Sequence, residues 1–155
     1  MKGETHMLWA AFVALVVGHW YFSLPVHPYY LVKVTPYPPI AMLLAALSTG
    51  RFFIDDYERG GKREKLHNIW IPLAFYYLHT RLDDVIFSLT ALGFSIGWAT
   101  HIFLDALTNH GVVIAYPLPW VLSLNLGTNE ELSPIFYWIA YIGIFAVAIM
   151  IILTV

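Results

Sequence analysis

The chain has 155 residues, of which 59% are hydrophobic and 12% are charged. A soluble globular domain carries about twice that charged fraction, and disordered segments combine low hydrophobicity with high net charge, so both classes are excluded. A net charge of −2 gives no electrostatic attraction for nucleic acid, and the absence of cysteine excludes disulfides and thiolate ligands. The composition predicts one integral-membrane domain, residues 1–155.

Five apolar runs predict an all-α, polytopic transmembrane helical bundle of about five spans. In chain order the runs are Met7–Leu24, Ile40–Ile54, Leu66–Leu82, Val85–Leu107 and Ile135–Val155. The second and third runs are short for a crossing, which takes roughly 20 residues. We interpret the first run as a retained span rather than a signal peptide, because no small-x-small cleavage site follows it.

The charged residues predict how the bundle is oriented. The stretch Arg51–Lys65, between the second and third runs, holds half of all the charged side chains. Four of the eight basic residues lie within Arg59–Lys65, and loops rich in Lys and Arg face the cytoplasm. Alternation of five spans then places the N-terminus, this loop and the 108–133 loop on the cytoplasmic side.

Asp105 is the only charged residue well inside an apolar run. A charge there costs at least about 2.5–3.5 kcal/mol on insertion scales, so we expect it to face the bundle interior with a partner. His101 lies four residues earlier, which places both side chains on one face of a helix. Two interpretations stay open: the pair binds a metal ion, or it is a hydrogen bond that ties helices together.

Under the five-span alternation, other histidines and acids fall at the same membrane face as this pair. His6 precedes the first run, Asp55 and Asp56 follow the second, His67 opens the third, and His110 lies just beyond the fourth. Imidazole nitrogens and carboxylate oxygens are ligands of divalent metals. The clustering therefore predicts a site for one or two ions, with His110 as a possible extra ligand.

Several motifs occur in an order that is typical of a known family. They are Thr5-His6 before the first run, the Arg63-to-His67 spacing, and a final block of Thr100-His101, Asp105, Thr108, Gly111-Val112 and Tyr116-Pro117. In these motifs the chain resembles the membrane-bound metal-dependent hydrolases, the YdjM-like group. It departs from the family pattern at Lys62, where the family has a histidine, at Asn68, and in the acidic segment Phe53–Tyr57. The His-x-x-x-Asp element is also similar, more weakly, to zinc-dependent phospholipase C.

The resemblance implies a metal-dependent hydrolase of a prokaryotic-type cell membrane, and the five-span alternation predicts that its site lies on the cytoplasmic face. The implied substrate is a phosphoester of a lipid or head group, and the implied cofactor is a divalent metal, with zinc as the expected ion. The implied metal ligands are His6, Asp55 or Asp56, His67, His101 and Asp105. An acid among Asp55, Asp56 and Asp105 that is not a ligand would act as general base or orient a histidine.

Supporting roles have a functional and a structural interpretation. Arg59 and Arg63 match phosphate bidentately, or they anchor the loop to anionic lipid. Thr108 and Asn109 position a water molecule, or they cap the end of a helix. Membrane lipid is the expected partner. The alternative to a hydrolase is a non-catalytic metal-binding or scaffold protein of the membrane.

Overall fold

A computed structural model of the chain describes residues 3–23, 37–49 and 66–154. The helices are α1 (Gly3–Ser23), α2 (Tyr37–Ser48), α3 (Trp70–His79), α4 (Val85–Ala106) and α5 (Asn129–Thr154), and the strands are β1 (Val112–Val113) and β2 (Val121–Leu122). The described part of the chain is therefore mainly helical, as the sequence predicts.

Two of the described helical segments, Val85–Ala106 and Asn129–Met150, are long and apolar enough to cross a membrane by length and composition. The ten residues of α3 measure about 15 Å at 1.5 Å per residue, which is half of the hydrocarbon core. Turns at residues 66–69 and 80–81 occupy the ends of the third predicted run. That run is therefore a short helix rather than a full crossing, and the count of five spans stays a prediction.

The helix at the centre of the packing is α4, because α1, α2 and α3 all contact it. Gly93 and Gly97 let its backbone approach α2 closely, as small residues do between membrane helices. A Cβ atom at Gly97 would collide with the Thr49 hydroxyl and would lie 2.6 Å from the carbonyl oxygen of Ala46. A buried apolar cluster joins α1, α2 and α4, and it is formed by Ala10, Ala14, Met42, Ala46, Leu89, Leu92 and Ile96.

The last helix begins earlier than its apolar run. The sequence predicts a span from Ile135, whereas α5 begins at Asn129. A capping box explains this start, because Glu131 accepts a hydrogen bond from the backbone N–H of Thr128 at 2.8 Å and donates its own N–H to the Thr128 hydroxyl at 3.3 Å. Pro134 lies inside the helix.

The connection from α4 to α5 is a β-hairpin, where the sequence predicts only a long polar-aromatic loop. Its strands β1 and β2 pair antiparallel. The returning chain completes the end of α4, since Leu124 donates its N–H to the carbonyl of Ala106 at 2.7 Å and Leu126 to that of Leu107 at 3.0 Å. The last carbonyls of a helix lack partners within it, so the hairpin is fixed to α4 by satisfying them.

Candidate metal centre

Three histidines and one aspartate meet at one end of the bundle. His6 lies near the start of α1, His67 lies in the turn before α3, and His101 and Asp105 lie in the last turns of α4. All four are buried, with His6 1% and His101 0% exposed. The fold thus joins residues from three separate parts of the chain, and these are four of the residues that the sequence analysis predicts as ligands.

The two carboxylate oxygens of Asp105 contact all three imidazoles. Oδ1 lies 3.1 Å from Nε2 of His6, and Oδ2 lies 3.2 Å from Nε2 of His67 and 3.4 Å from Nε2 of His101. The Nε2 atoms of His67 and His101 are 3.1 Å apart. The rings of His6 and His101 stack, with centroids separated by 3.9 Å. Three ring nitrogens of the same kind therefore converge on one carboxylate.

These separations are close to those of ligand atoms around a single ion. Zinc lies about 2.0–2.2 Å from nitrogen and oxygen ligands, so two ligand atoms of a tetrahedral site lie roughly 3.3–3.6 Å apart. His6, His101 and Asp105 each offer a ligand atom within 4.8 Å of the others. The buried group of these three residues could hold a metal ion.

His6 fits a ligand better than a hydrogen-bonded core residue. Within the described ranges, neither of its ring nitrogens makes a hydrogen bond of standard geometry, although Nε2 lies 3.1 Å from Oδ1 of Asp105 in an ion-pair contact. A buried polar group without a partner costs about 1–3 kcal/mol. A cation between the imidazoles and the carboxylate would remove that cost for Nε2, because it accepts the lone pair of that nitrogen directly, whereas Nδ1 would be unaffected.

Hydrogen bonds from neighbouring side chains hold the ligand-bearing segments in place. The hydroxyl of Thr5 donates to the carbonyl of Ser133 at 3.3 Å, which attaches the start of α1 to α5. The indole N–H of Trp98 donates to the carbonyl of Leu66 at 2.6 Å, directly before His67. This role of Trp98 is not among the predictions from the sequence, although its position one turn before His101 on the same helix face is a signal for it.

A second pair of hydrogen bonds fixes the His67 turn from the other side. The side-chain amide of Asn68 donates to the carbonyl of Tyr116 at 3.1 Å. The backbone N–H of Ile69 donates to the carbonyl of Ile114 at 2.9 Å. The hairpin is therefore hydrogen-bonded directly to the turn that carries His67.

Four predicted site residues lie outside the described residues: Asp55, Asp56, Arg59 and Arg63. The assignment of an additional acidic ligand or base, and that of a phosphate clamp, stay predictions.

The residues just after α4 differ in their exposure to solvent. Thr108 is buried, and its hydroxyl donates to the carbonyl of Asp105 at 2.8 Å, as in the helix-capping interpretation. Asn109 and His110 are exposed. The group of potential ligands found among the described residues does not include His110.

Comparison with known proteins gives no match: no family model, curated protein or solved structure is similar to the chain. The resemblance to the membrane-bound metal-dependent hydrolases therefore stays a prediction from its motifs.

Proposed function

We propose that the chain is an integral-membrane metal-dependent hydrolase that cleaves a phosphoester of a lipid or head group at the cytoplasmic membrane interface. The observation that supports this most is the convergence of three imidazole Nε2 atoms on the buried carboxylate of Asp105, with contacts of 3.1–3.4 Å. Zinc is the proposed ion, because it prefers nitrogen and oxygen ligands in tetrahedral arrangements.

In this proposal His6, His101 and Asp105 hold the ion. A bound divalent ion supplies two effects for phosphoester hydrolysis, a lowered pKa of water and stabilisation of charge on phosphoryl oxygens. With these three protein ligands the ion would resemble that of catalytic zinc sites, which also bind water or substrate. His67 then acts through its Nε2 atom, which accepts the proton of the attacking water as general base. Its contacts with Asp105 and His101 keep that atom at the site.

The membrane placement in this proposal has α4 and α5 as full crossings and α1 as a third. The 21 residues of α1 measure about 30 Å. Thr49, at the end of α2, lies against Gly97, one turn before His101. The described residues that flank the basic segment 51–65, Thr49 and Leu66, therefore both lie at the end of the bundle that carries the site. This supports a cytoplasmic site by the positive-inside rule. Arg59 and Arg63 are the proposed phosphate-binding residues of that segment.

One observation favours a second function, a non-catalytic metal-binding protein. Nε2 of His67 lies as near to Asp105 as Nε2 of His6 does, at 3.2 Å against 3.1 Å. If His67 is itself a ligand, the ion has four protein ligands, which is the closed arrangement of structural zinc sites. The role of His67 therefore separates the two functions.

Metal content of the purified protein tests the site. We expect the wild-type protein to contain about one equivalent of metal and His6→Ala to lose it. His19→Ala is the matched control: His19 lies on the same helix, thirteen residues further along, or about 20 Å away, so it should retain the metal. Less than about a tenth of an equivalent in freshly purified wild-type protein, or equal contents in the two variants, would exclude the proposed metal site.

Turnover of phospholipids and phosphomonoesters separates the hydrolase from the alternative. We expect activity that chelation abolishes, and a His67→Ala variant that keeps its metal while losing about 10²–10⁴-fold in rate. A wild-type protein that binds metal without turnover, together with loss of metal in His67→Ala, would instead establish the closed site. Activity that survives chelation would contradict the proposal.

A further inference from the structure

The hairpin between α4 and α5 exposes apolar side chains at the same end of the bundle as the His–Asp cluster. Trp120 is 64% and Leu126 61% exposed. The other large apolar side chains exposed on the hairpin are Leu118, Val121, Leu122 and Leu124. Residues 106–129 contain no Asp, Glu, Lys or Arg. Exposed apolar patches of this kind mark sites of interaction.

The hairpin holds a fixed position relative to the site. It is bonded to the end of α4 by Leu124 and Leu126, and to the His67 turn by Tyr116 and Ile114. Asp105 lies one residue before Ala106, where α4 ends, which corresponds to about 1.5 Å along the helix axis. A surface that contacts the hairpin therefore lies near the Asp105 carboxylate, as measured along the axis of α4.

The apolar surface of the hairpin continues onto the two helices that could cross a membrane. Phe103, one turn before the end of α4, is exposed. On α5 the exposed apolar side chains include Ile135, Trp138, Ile139, Ile142, Phe145 and Ile149. A membrane that surrounds these helices would also meet the hairpin. Trp and Tyr, which the hairpin carries at positions 120 and 116, are enriched where the chain passes from lipid to water.

We propose that the hairpin, residues 112–126, lies in the bilayer interface with Trp120, Leu124 and Leu126 among the acyl chains. It then holds the His–Asp cluster at the level of the lipid phosphates, since an interfacial segment enters the bilayer by about 5–10 Å. The substrate is accordingly a membrane lipid that reaches the site from within the bilayer, rather than a phosphoester dissolved in water. This assignment of substrate rests on the proposed hydrolase function, whereas the position of the hairpin does not.

Fluorescence quenching tests the position of the hairpin directly. The chain has no cysteine, so Trp120→Cys and Leu124→Cys each give one labelling site for a bimane fluorophore. His110→Cys is the control, because His110 is exposed and polar and lies on the same connection. In phosphatidylcholine–phosphatidylglycerol vesicles, we expect brominated lipids to quench the labels at 120 and 124 severalfold more than the label at 110, and aqueous iodide to show the opposite order.

Two results would overturn this position. One is iodide quenching at 120 and 124 as strong as at 110, which would place the hairpin in water. The other is protection of 120 and 124 from both quenchers, which would indicate that a second copy of the chain covers the hairpin. The measurement requires no turnover, so its outcome is independent of whether the protein is a hydrolase.

Charge in the hairpin tests the substrate class. In the full-length protein we expect Trp120→Asp to lower turnover of a vesicle phospholipid severalfold, with metal content and turnover of a water-soluble phosphoester unchanged. His110→Asp introduces the same charge nearby without removing an apolar contact, and should behave as wild type. Equal loss on both substrates, or none on the lipid, would exclude entry from the bilayer. A wild-type protein inactive on both would contradict the hydrolase function instead.

Discussion

At the scale of single residues, Asp105 is the side chain on which the candidate site depends. It is the acid that contacts His6, His67 and His101. A buried carboxylate is tolerated only with partners that offset its lost hydration, and removal of one partner leaves a costly uncompensated charge. Asp105 and the three imidazoles therefore form one unit, and substitution of the acid affects all three histidines together.

Asp105→Asn tests this dependence with little change in side-chain size. We expect the variant to lose its metal, because an amide is a much weaker ligand than a carboxylate, and to lose with it the stability that metal binding adds. That stability is about 2.7 kcal/mol when the free metal is at 100 times its dissociation constant. The thermal midpoint of the wild-type protein should fall on chelation, whereas that of Asp105→Asn should not change.

Asp83→Asn is the matched control for this experiment. Asp83 is exposed and lies just before the opposite end of α4. Its substitution should leave both the metal content and the effect of the chelator as in the wild-type protein. A chelation-dependent midpoint in Asp105→Asn would show that the metal is bound elsewhere.

The residues of the His–Asp cluster could be predicted from the sequence for a definite reason. His101 and Asp105 are one helical turn apart, and a buried charge requires a partner, so local spacing is sufficient to pair them. His6 and His67 follow from the ends of apolar runs. The hydrogen bonds from Trp98 to Leu66 and from Thr5 to Ser133 join residues far apart in the chain, and no local pattern encodes such a contact.

At the scale of elements, α2 and α4 come into close contact at Gly97. The groups that a Cβ atom would meet there include the backbone carbonyl of Ala46, which cannot move without displacing α2. At Gly18, on α1, a Cβ atom would instead meet the terminal methyl of Met42 at 2.8 Å. Gly97 and Gly18 both face α2, but an added methyl group would meet rigid backbone at Gly97 and a movable side chain at Gly18.

Gly97→Ala should destabilise the protein by at least about 1–3 kcal/mol, the usual cost of overpacking a core. Gly18→Ala should be close to neutral, because the flexible end of Met42 can move and alanine favours a helix over glycine by about 1 kcal/mol. Unfolding in mixed detergent micelles measures both free energies. Equal values for the two variants would show that α2 and α4 are not in contact at Gly97.

The elements that the sequence did not predict are those determined by contacts outside their own segment. Hydropathy places one apolar run at residues 66–82, but the hydrogen bond from Ile69 to Ile114 helps to hold the turn before α3. The hairpin likewise depends on unpaired carbonyls at the end of α4. The start of α5 at Asn129 was missed for another reason, since the capping box from Thr128 to Glu131 lies before the apolar run on which the span was based.

At the scale of the whole molecule, α4 extends from the candidate site to the opposite end of the bundle. Its start is capped by Asp84, whose carboxylate accepts hydrogen bonds from the N–H groups of Ile86 at 2.9 Å and Phe87 at 3.0 Å. Its 22 residues measure about 33 Å, which matches the hydrocarbon core of a bilayer. Asp84 and His110 therefore lie beyond opposite ends of one helix that could cross the membrane.

Labelling of single cysteines in intact cells tests the proposed orientation. We expect Asp84→Cys to react with a membrane-impermeant maleimide in intact cells, and His110→Cys to react only after the membrane is permeabilised, because the basic 51–65 segment should hold the site-bearing end in the cytoplasm. The cysteine-free wild-type chain gives the background. The reverse pattern would place the site outside the cell, and reaction of both positions in intact cells would show that α4 does not cross the membrane.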